Sequence, residues 1–142
     1  MTGLIVDTSV WSTSSTDAVA RGELERLISS VPSRRVLLCP PIAAELGFSA
    51  RSGAEHSILR NKLEAFPECE LSPSVDDALA IQNALWNAGL VRAVGAMDVL
   101  IAAYALKNEA TVIHLDRDFE HVASVIPQFS QRWLISRERR AR

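Results

Sequence analysis

Leu4-Ile5-Val6-Asp7-Thr8-Ser9 is a run of three bulky apolar residues stopped by an acid and two hydroxyls. A run this short and this branched suits a strand buried on both faces of a sheet. Thr111-Val112-Ile113-His114-Leu115 repeats the pattern and ends on Asp116, and Val36 to Cys39 reads as another buried strand. Elsewhere the periodicity is helical. Asp17 to Ile28 puts Val19, Leu24, Leu27 and Ile28 on one face, with Thr16 or Asp17 as cap. Pro40-Pro41 opens a helix through about Phe48. Ser52 to Phe66 is helical in pattern and stops at Pro67. Ser74 caps a helix to Trp86 whose first turn carries Asp76 and Asp77. Asp98 to Lys107 is nearly all apolar and therefore central. Asp118 to Val125 reads as a short helix, Arg132 to Ile135 as a last edge strand, and Ser12 to Thr16 as a connector. Strands alternating with helices predict an α/β domain with a mostly parallel central sheet. Ligands of such sheets bind beyond the carboxyl ends of the strands, where Asp7 and Asp116 fall.

The chain has 142 residues, 48% of them hydrophobic, which suits one domain with its own core. That domain is expected over residues 1–136, followed by a basic tail, Arg137-Glu138-Arg139-Arg140-Ala141-Arg142. The formal charge of −2 gives the whole molecule no pull on nucleic acid, so any attraction for RNA must be local. Arg34-Arg35, Arg51, Arg60, Lys62, Arg92 and the tail are the sources of local positive charge. Cys39 and Cys69 are too few for a disulfide framework and read as buried reduced thiols. His56, His114 and His121 are scattered, and no CxxC or HExxH offers a zinc site. No leader peptide is expected, because Asp7 breaks the first apolar run. No run approaches the roughly 20 apolar residues that span a bilayer. A cytoplasmic protein without membrane association is therefore expected.

Four acids stand in apolar settings: Asp7, Glu45 within Ile42-Ala43-Ala44-Glu45-Leu46, Asp98 within Ala96-Met97-Asp98-Val99-Leu100, and Asp116. A desolvated carboxylate is costly unless its charge is balanced. If the fold gathers the four, neighbouring pairs about 4 Å apart repel by roughly 4 kcal/mol each at an effective dielectric of about 20. A hard divalent cation relieves that repulsion, and it also polarises a phosphate and lowers the pKa of a water. The pattern points to a metal-dependent enzyme acting on phosphates. Taken singly, each acid has an ordinary reading as well: Asp7 as a turn cap, Glu45 as a solvated helix residue, Asp98 as an N-cap, Asp116 and Asp118 as turn and cap residues. Asp76-Asp77, Glu23 and Glu25, and Glu68 and Glu70 lack the apolar setting and read as solvated faces.

Ile5-Val6-Asp7-Thr8-Ser9-Val10-Trp11, Glu45 on its proline-led helix, Asp98-Val99-Leu100-Ile101-Ala102-Ala103 and Leu115-Asp116-Arg117-Asp118-Phe119 together resemble the PIN domain. More narrowly they resemble the VapC toxins of bacterial VapBC toxin–antitoxin modules. The resemblance spans essentially the whole chain. It implies a Rossmann-like α/β/α sandwich and a Mg²⁺-dependent ribonuclease, with Mn²⁺ as an alternative ion. By position it makes Asp7, Glu45, Asp98 and Asp116 the catalytic acids, with Asp7 and Asp98 holding the metal directly. Asp118 becomes an auxiliary acid, Ser9 a hydroxyl bonded to the first carboxylate or to a water, and Arg92 a contact to the RNA backbone. It also implies a homodimer silenced by a VapB-type antitoxin. Two positions depart from the family's usual pattern: Ser12-Thr13-Ser14 follow Trp11, and Met97 precedes Asp98.

Two other functions compete. An aspartate-nucleophile phosphatase would use Asp7, but Ser9 stands where such an enzyme needs a second Asp, and no clear catalytic lysine is found. A non-catalytic PIN-like module that binds RNA or protein is the other, and the intact acidic quartet argues against it.

Overall fold

Leu4–Val6 (β1), Val36–Leu37 (β2), Thr111–His114 (β3) and Ser130–Trp133 (β4) form one sheet in the order β2-β1-β3-β4, every pair parallel. The structure, a computed structural model, describes residues 3–136 and residue 139. Leu4 pairs with Val36 on one side and Thr111 on the other, and Val6 with Ile113. Alternation along these strands splits the core in two, as a doubly covered sheet requires. Val6, Val36 and Ile113 face Val10 and Leu24, which belong to helices Thr8–Ser14 (α1) and Ala18–Ser29 (α2). Ile5 and Val112 face the other way, towards Ile42, Leu85, Val99, Ala102 and Phe119. Those residues come from Pro40–Phe48 (α3), Val75–Asn87 (α5), Ala96–Lys107 (α6) and Asp118–Val125 (α7). The result is the expected α/β/α sandwich; Gly53–Leu63 (α4) lies outside it, against α3.

Strand order matters most for function. The chain steps from β1 to β2 on one side, then crosses to β3 on the other. The loops leaving β1 and β3 therefore diverge and leave a crevice at the carboxyl edge of the sheet. The ladder continues one step past β1, with the Asp7 amide donating to the Ile113 carbonyl at 2.9 Å. Asp7 and the segment after His114 thus emerge side by side.

Several sequence expectations shift. Residues 12–14, expected in a connector, are the last turn of α1. Asp7 caps that helix by accepting from the Ser9 amide, and buried Val10 and Ser14 hold it to the sheet, so packing overrides a Ser/Thr-rich composition. The strand expected over Val36 to Cys39 pairs with β1 only through Leu37. Leu38 turns to a new partner instead, donating to the Pro67 carbonyl at 2.8 Å and accepting from the Cys69 amide at 2.9 Å. The last strand begins and ends two residues earlier than expected, because its register to β3 sets its limits rather than any apolar run of its own. Helix α4 is shorter than Ser52 to Phe66, with Ser52 as its N-cap. Ser74 forms a capping box with Asp77, at the start expected for α5.

Cys39 and Cys69 are buried and reduced, and burial pushes their thiols up to about 12 and about 11. No described helix is long and apolar enough to cross a membrane. Of the basic tail expected over 137–142, only Arg139 falls within the described residues; it pairs with Glu23 at 3.3 Å.

Candidate active site

Asp7 is 3% exposed, the most enclosed of the acids singled out by sequence. Its Oδ2 accepts from the Ser9 amide at 3.1 Å and the Ser9 hydroxyl at 2.6 Å. Its Oδ1 is buried and has no hydrogen-bond partner among the described residues. Burial pushes this carboxyl above the usual range, against the opposing effect of the Ser9 bonds, and Asp116 pushes the same way. Asp7 is therefore a helix cap and a strained anion at once. One oxygen serves the fold and the other is buried without a hydrogen-bond partner among the described residues.

Ser9 ties the two strand ends together. Its Oγ donates to Asp7 and accepts from the Leu115 amide at 3.0 Å. That bond holds the β3 exit against the start of α1.

Asp98, Asp116 and Asp118 form the tightest group, each offering an oxygen within 4.8 Å of the others. Asp98 comes from the first turn of α6, whose N-cap is Gly95, so it is not the cap residue that sequence also allowed. Burial, then a hydrogen bond with Asp118, then the charges of Asp7, Asp116 and Asp118 push its carboxyl well above the usual range. Two carboxylates share a hydrogen bond only when one keeps a proton. The Asp98 carboxyl therefore resists losing its proton. Asp116 accepts from the Asp118 amide at 2.9 Å, and Asp118 accepts more loosely from Gly95 at 3.4 Å.

Glu45 and Asp7 stand outside the 4.8 Å group; Thr8, the residue after Asp7, donates its hydroxyl to Glu45 Oε1 at 3.0 Å. Arg92 is exposed on the turn before α6, in a left-handed conformation with φ 59°, and has no ion-pair partner among the described residues. Sequence reading passed over Thr8, although it lies between Asp7 and Ser9, and found in His114 only one of three scattered histidines. Asp118, read as an auxiliary acid, offers an oxygen within 4.8 Å of those of Asp98 and Asp116.

The donor set fits a hard divalent cation. It is all carboxylate oxygen, which suits Mg²⁺ or Mn²⁺ better than zinc. The orphaned Asp7 Oδ1 and the raised Asp98 carboxyl are what such a charge would satisfy and offset. A separate, mostly apolar groove of about 560 Å³ lies between α3 and α4, lined by Leu38, Ala43, Leu59, Leu63 and Phe66. It is not part of the acidic crevice.

Comparison with known proteins agrees with this geometry. The PIN domain model matches residues 4–125. Over 127 residues the chain is 32% identical to ribonuclease VapC11 of Mycobacterium tuberculosis, covering 86% of this chain and 92% of that one. Ribonuclease VapC2 of the same species is 37% identical over 91 residues, 62% of this chain and 64% of the relative. VapBC-1 from nontypeable Haemophilus influenzae superposes with a TM-score of 0.70 at 19% identity, covering 92% of this chain and 97% of the other. DNA-bound VapBC from Salmonella typhimurium gives 0.71 at 15%, covering 95% and 100%. The chain belongs to the PIN domain family and, within it, groups with the VapC ribonucleases.

Proposed function

We propose that this protein is the toxin of a type II toxin–antitoxin pair, a Mg²⁺-dependent endoribonuclease that hydrolyses RNA phosphodiester bonds. The observation that carries the reading is the meeting of Asp98, Asp116 and Asp118 at the crevice where β1 and β3 part, within reach of the charge of Asp7, which keeps one buried carboxylate oxygen without a hydrogen-bond partner among the described residues. The ribonuclease names of its relatives support the substrate class.

Mg²⁺, or Mn²⁺ in its place, would be held by Asp7, Asp98 and Asp116 with Asp118 beside them, and would supply Lewis acidity towards a phosphate and a lowered pKa for a water. The chain's own residues do the rest. Ser9 fixes one oxygen of the Asp7 carboxylate and clamps the β3 exit to it. Thr8 orients Glu45. Burial and the neighbouring acids push Asp98 up to about 9, so at neutral pH it adds less negative charge to the site than a free carboxylate would. Arg92, exposed and without an ion-pair partner among the described residues, is free to meet an RNA phosphate. The products would carry a 5′-phosphate and a 3′-hydroxyl.

An antitoxin of the VapB type and a second copy of this chain are the proposed protein partners. The VapBC structures that share this fold support the first. Exposed Val75, Leu79 and Trp86 on α5 and Phe48 at the end of α3 leave apolar surface for such contacts. The decisive experiment is incubation of purified protein with total RNA in Mg²⁺ and in EDTA, for the parent and Asp7→Asn. Cleavage by the parent in Mg²⁺ alone is expected. Cleavage by Asp7→Asn at the parental rate, or cleavage that survives EDTA, refutes the assignment.

A further inference from the structure

We propose that His114 is a positioning residue for the acidic site: its ring fixes the backbone at Asp116 and so aims that carboxylate at Asp98 and Asp118. The inference rests on the metal-site reading above and deepens it.

His114 is fully buried at the end of β3. Its Nδ1 accepts from the Asp116 amide at 3.1 Å, and its Nε2 meets Gln131 Oε1 at 2.5 Å. A backbone amide only donates, so Nδ1 carries no proton; Gln131 Oε1 only accepts, so Nε2 carries one. The ring is therefore neutral, in a single tautomer set by partners on both sides. Phe119 and Trp133 pack on it with centroids 5.1 and 4.9 Å away.

A leucine or methionine would fill an aromatic slot of this kind with no polar atom to satisfy. What the imidazole adds is one acceptor, placed where the chain needs it. The sheet ladder ends at His114, whose carbonyl takes the Leu134 amide at 3.0 Å. Three of the next four amides are caught by side chains: Leu115 by Ser9, Asp116 by His114, and Asp118 by the Asp116 carboxylate. The last of these bonds makes the carboxylate direction depend on the backbone direction, which the second sets. From β4, Gln131 anchors the ring, so an edge strand with no acid of its own helps to shape the site.

Two amide variants separate positioning from packing. His114→Asn puts an oxygen one bond from Cγ, where Nδ1 stood, and gives up the reach to Gln131. His114→Gln keeps that reach and moves its acceptor away from the Asp116 amide. Both place one amide in the same slot, and circular dichroism at the assay temperature reports the folded fraction of each. Calorimetric titration with Mn²⁺, and kcat and KM on RNA, are then compared with the parent. His114→Asn is expected to stay within a few-fold of the parent. His114→Gln is expected to lose roughly 10–100-fold in Mn²⁺ affinity, as when the partner of a metal ligand is removed. Its loss of turnover should fall on kcat rather than KM. If His114→Gln equals or exceeds His114→Asn, the ring only fills space and the proposal is wrong. A parent that neither binds Mn²⁺ nor cuts RNA overturns the metal-site reading instead. Imidazole ¹⁵N shifts of the parent decide the hydrogen bond whatever the variants do: an unprotonated Nδ1 is expected, and a protonated one sinks the proposal.

Discussion

Replacing Asp98 by Asn keeps the shape of the site and removes its most perturbed carboxyl. The Asn amide still donates towards Asp118, as the protonated acid does. In the parent, a charged Asp98 would face oxygens of Asp116 and Asp118 within 4.8 Å. Each such pair costs about 3.5 kcal/mol at an effective dielectric of about 20. Burial and these neighbours push the carboxyl up to about 9. A carboxyl raised by folding adds stability in full below its unfolded pKa and loses it as pH climbs to the folded value. The ceiling is about 1.4 kcal/mol per pH unit, and partial solvent access lowers it. The useful window is pH 6.5 to 8. Below it His114, whose pKa burial lowers, begins to favour the unfolded chain, and above it the unfolded cysteines ionise. Across that window the metal-free parent should lose about 1 kcal/mol, or roughly 3 °C in Tm for a chain of this size. Asp98→Asn should show no such slope and should equal or exceed the parent at pH 8. Mn²⁺ at about 100 times its Kd should add about 2.7 kcal/mol to the parent, and little to the variant. Differential scanning fluorimetry in EDTA and in Mn²⁺ reads all four numbers. A variant that keeps the pH slope, or gains the full Mn²⁺ stabilisation, contradicts a metal-ready site centred on the raised Asp98 carboxyl.

Other expectations follow from single contacts. Ser9→Ala removes the hydroxyl's bonds to the Leu115 amide and to Asp7, so chemical denaturation should show a loss of about 1–3 kcal/mol and RNA cleavage should drop with it. Arg92→Gly relieves a left-handed non-glycine residue and should raise stability by about 1 kcal/mol while raising KM for RNA; an unchanged KM would remove Arg92 from the substrate path. Leu85→Ala, in the fully buried face of α5, should cost about 2–5 kcal/mol in urea melts without altering Mn²⁺ affinity in the folded protein.

The strand-end acids were legible because a buried parallel strand must be apolar and its end need not be. Leu4 to Asp7 and Thr111 to Asp116 declare that change of environment within a few residues. Sheet order was not legible from the chain. That β3 crosses to the far side of β1 is decided by packing between elements distant in sequence, and the crevice depends on it. Local composition also misled at α1, where a Ser/Thr-rich stretch is helical because Asp7 caps it and the sheet face buries Val10. Asp98 was found for a sound reason, an acid in a nearly all-apolar helix, but its helix starts two residues earlier, at Ala96. Asp118 was underrated because a residue at a helix start has an ordinary explanation, and only the coordinates bring it within 4.8 Å of Asp98 and Asp116. His114 was invisible as a participant, since a histidine at a strand end shows nothing of what its two nitrogens touch.

The most direct test is end-mapping of RNA treated with the purified chain in Mg²⁺, alongside EDTA and Asp7→Asn controls. Fragments with 5′-phosphate and 3′-hydroxyl ends, formed only by the parent in Mg²⁺, are the expected result. Intact RNA in Mg²⁺, or the same fragments in either control, would show that these gathered carboxylates do not cut RNA with a metal.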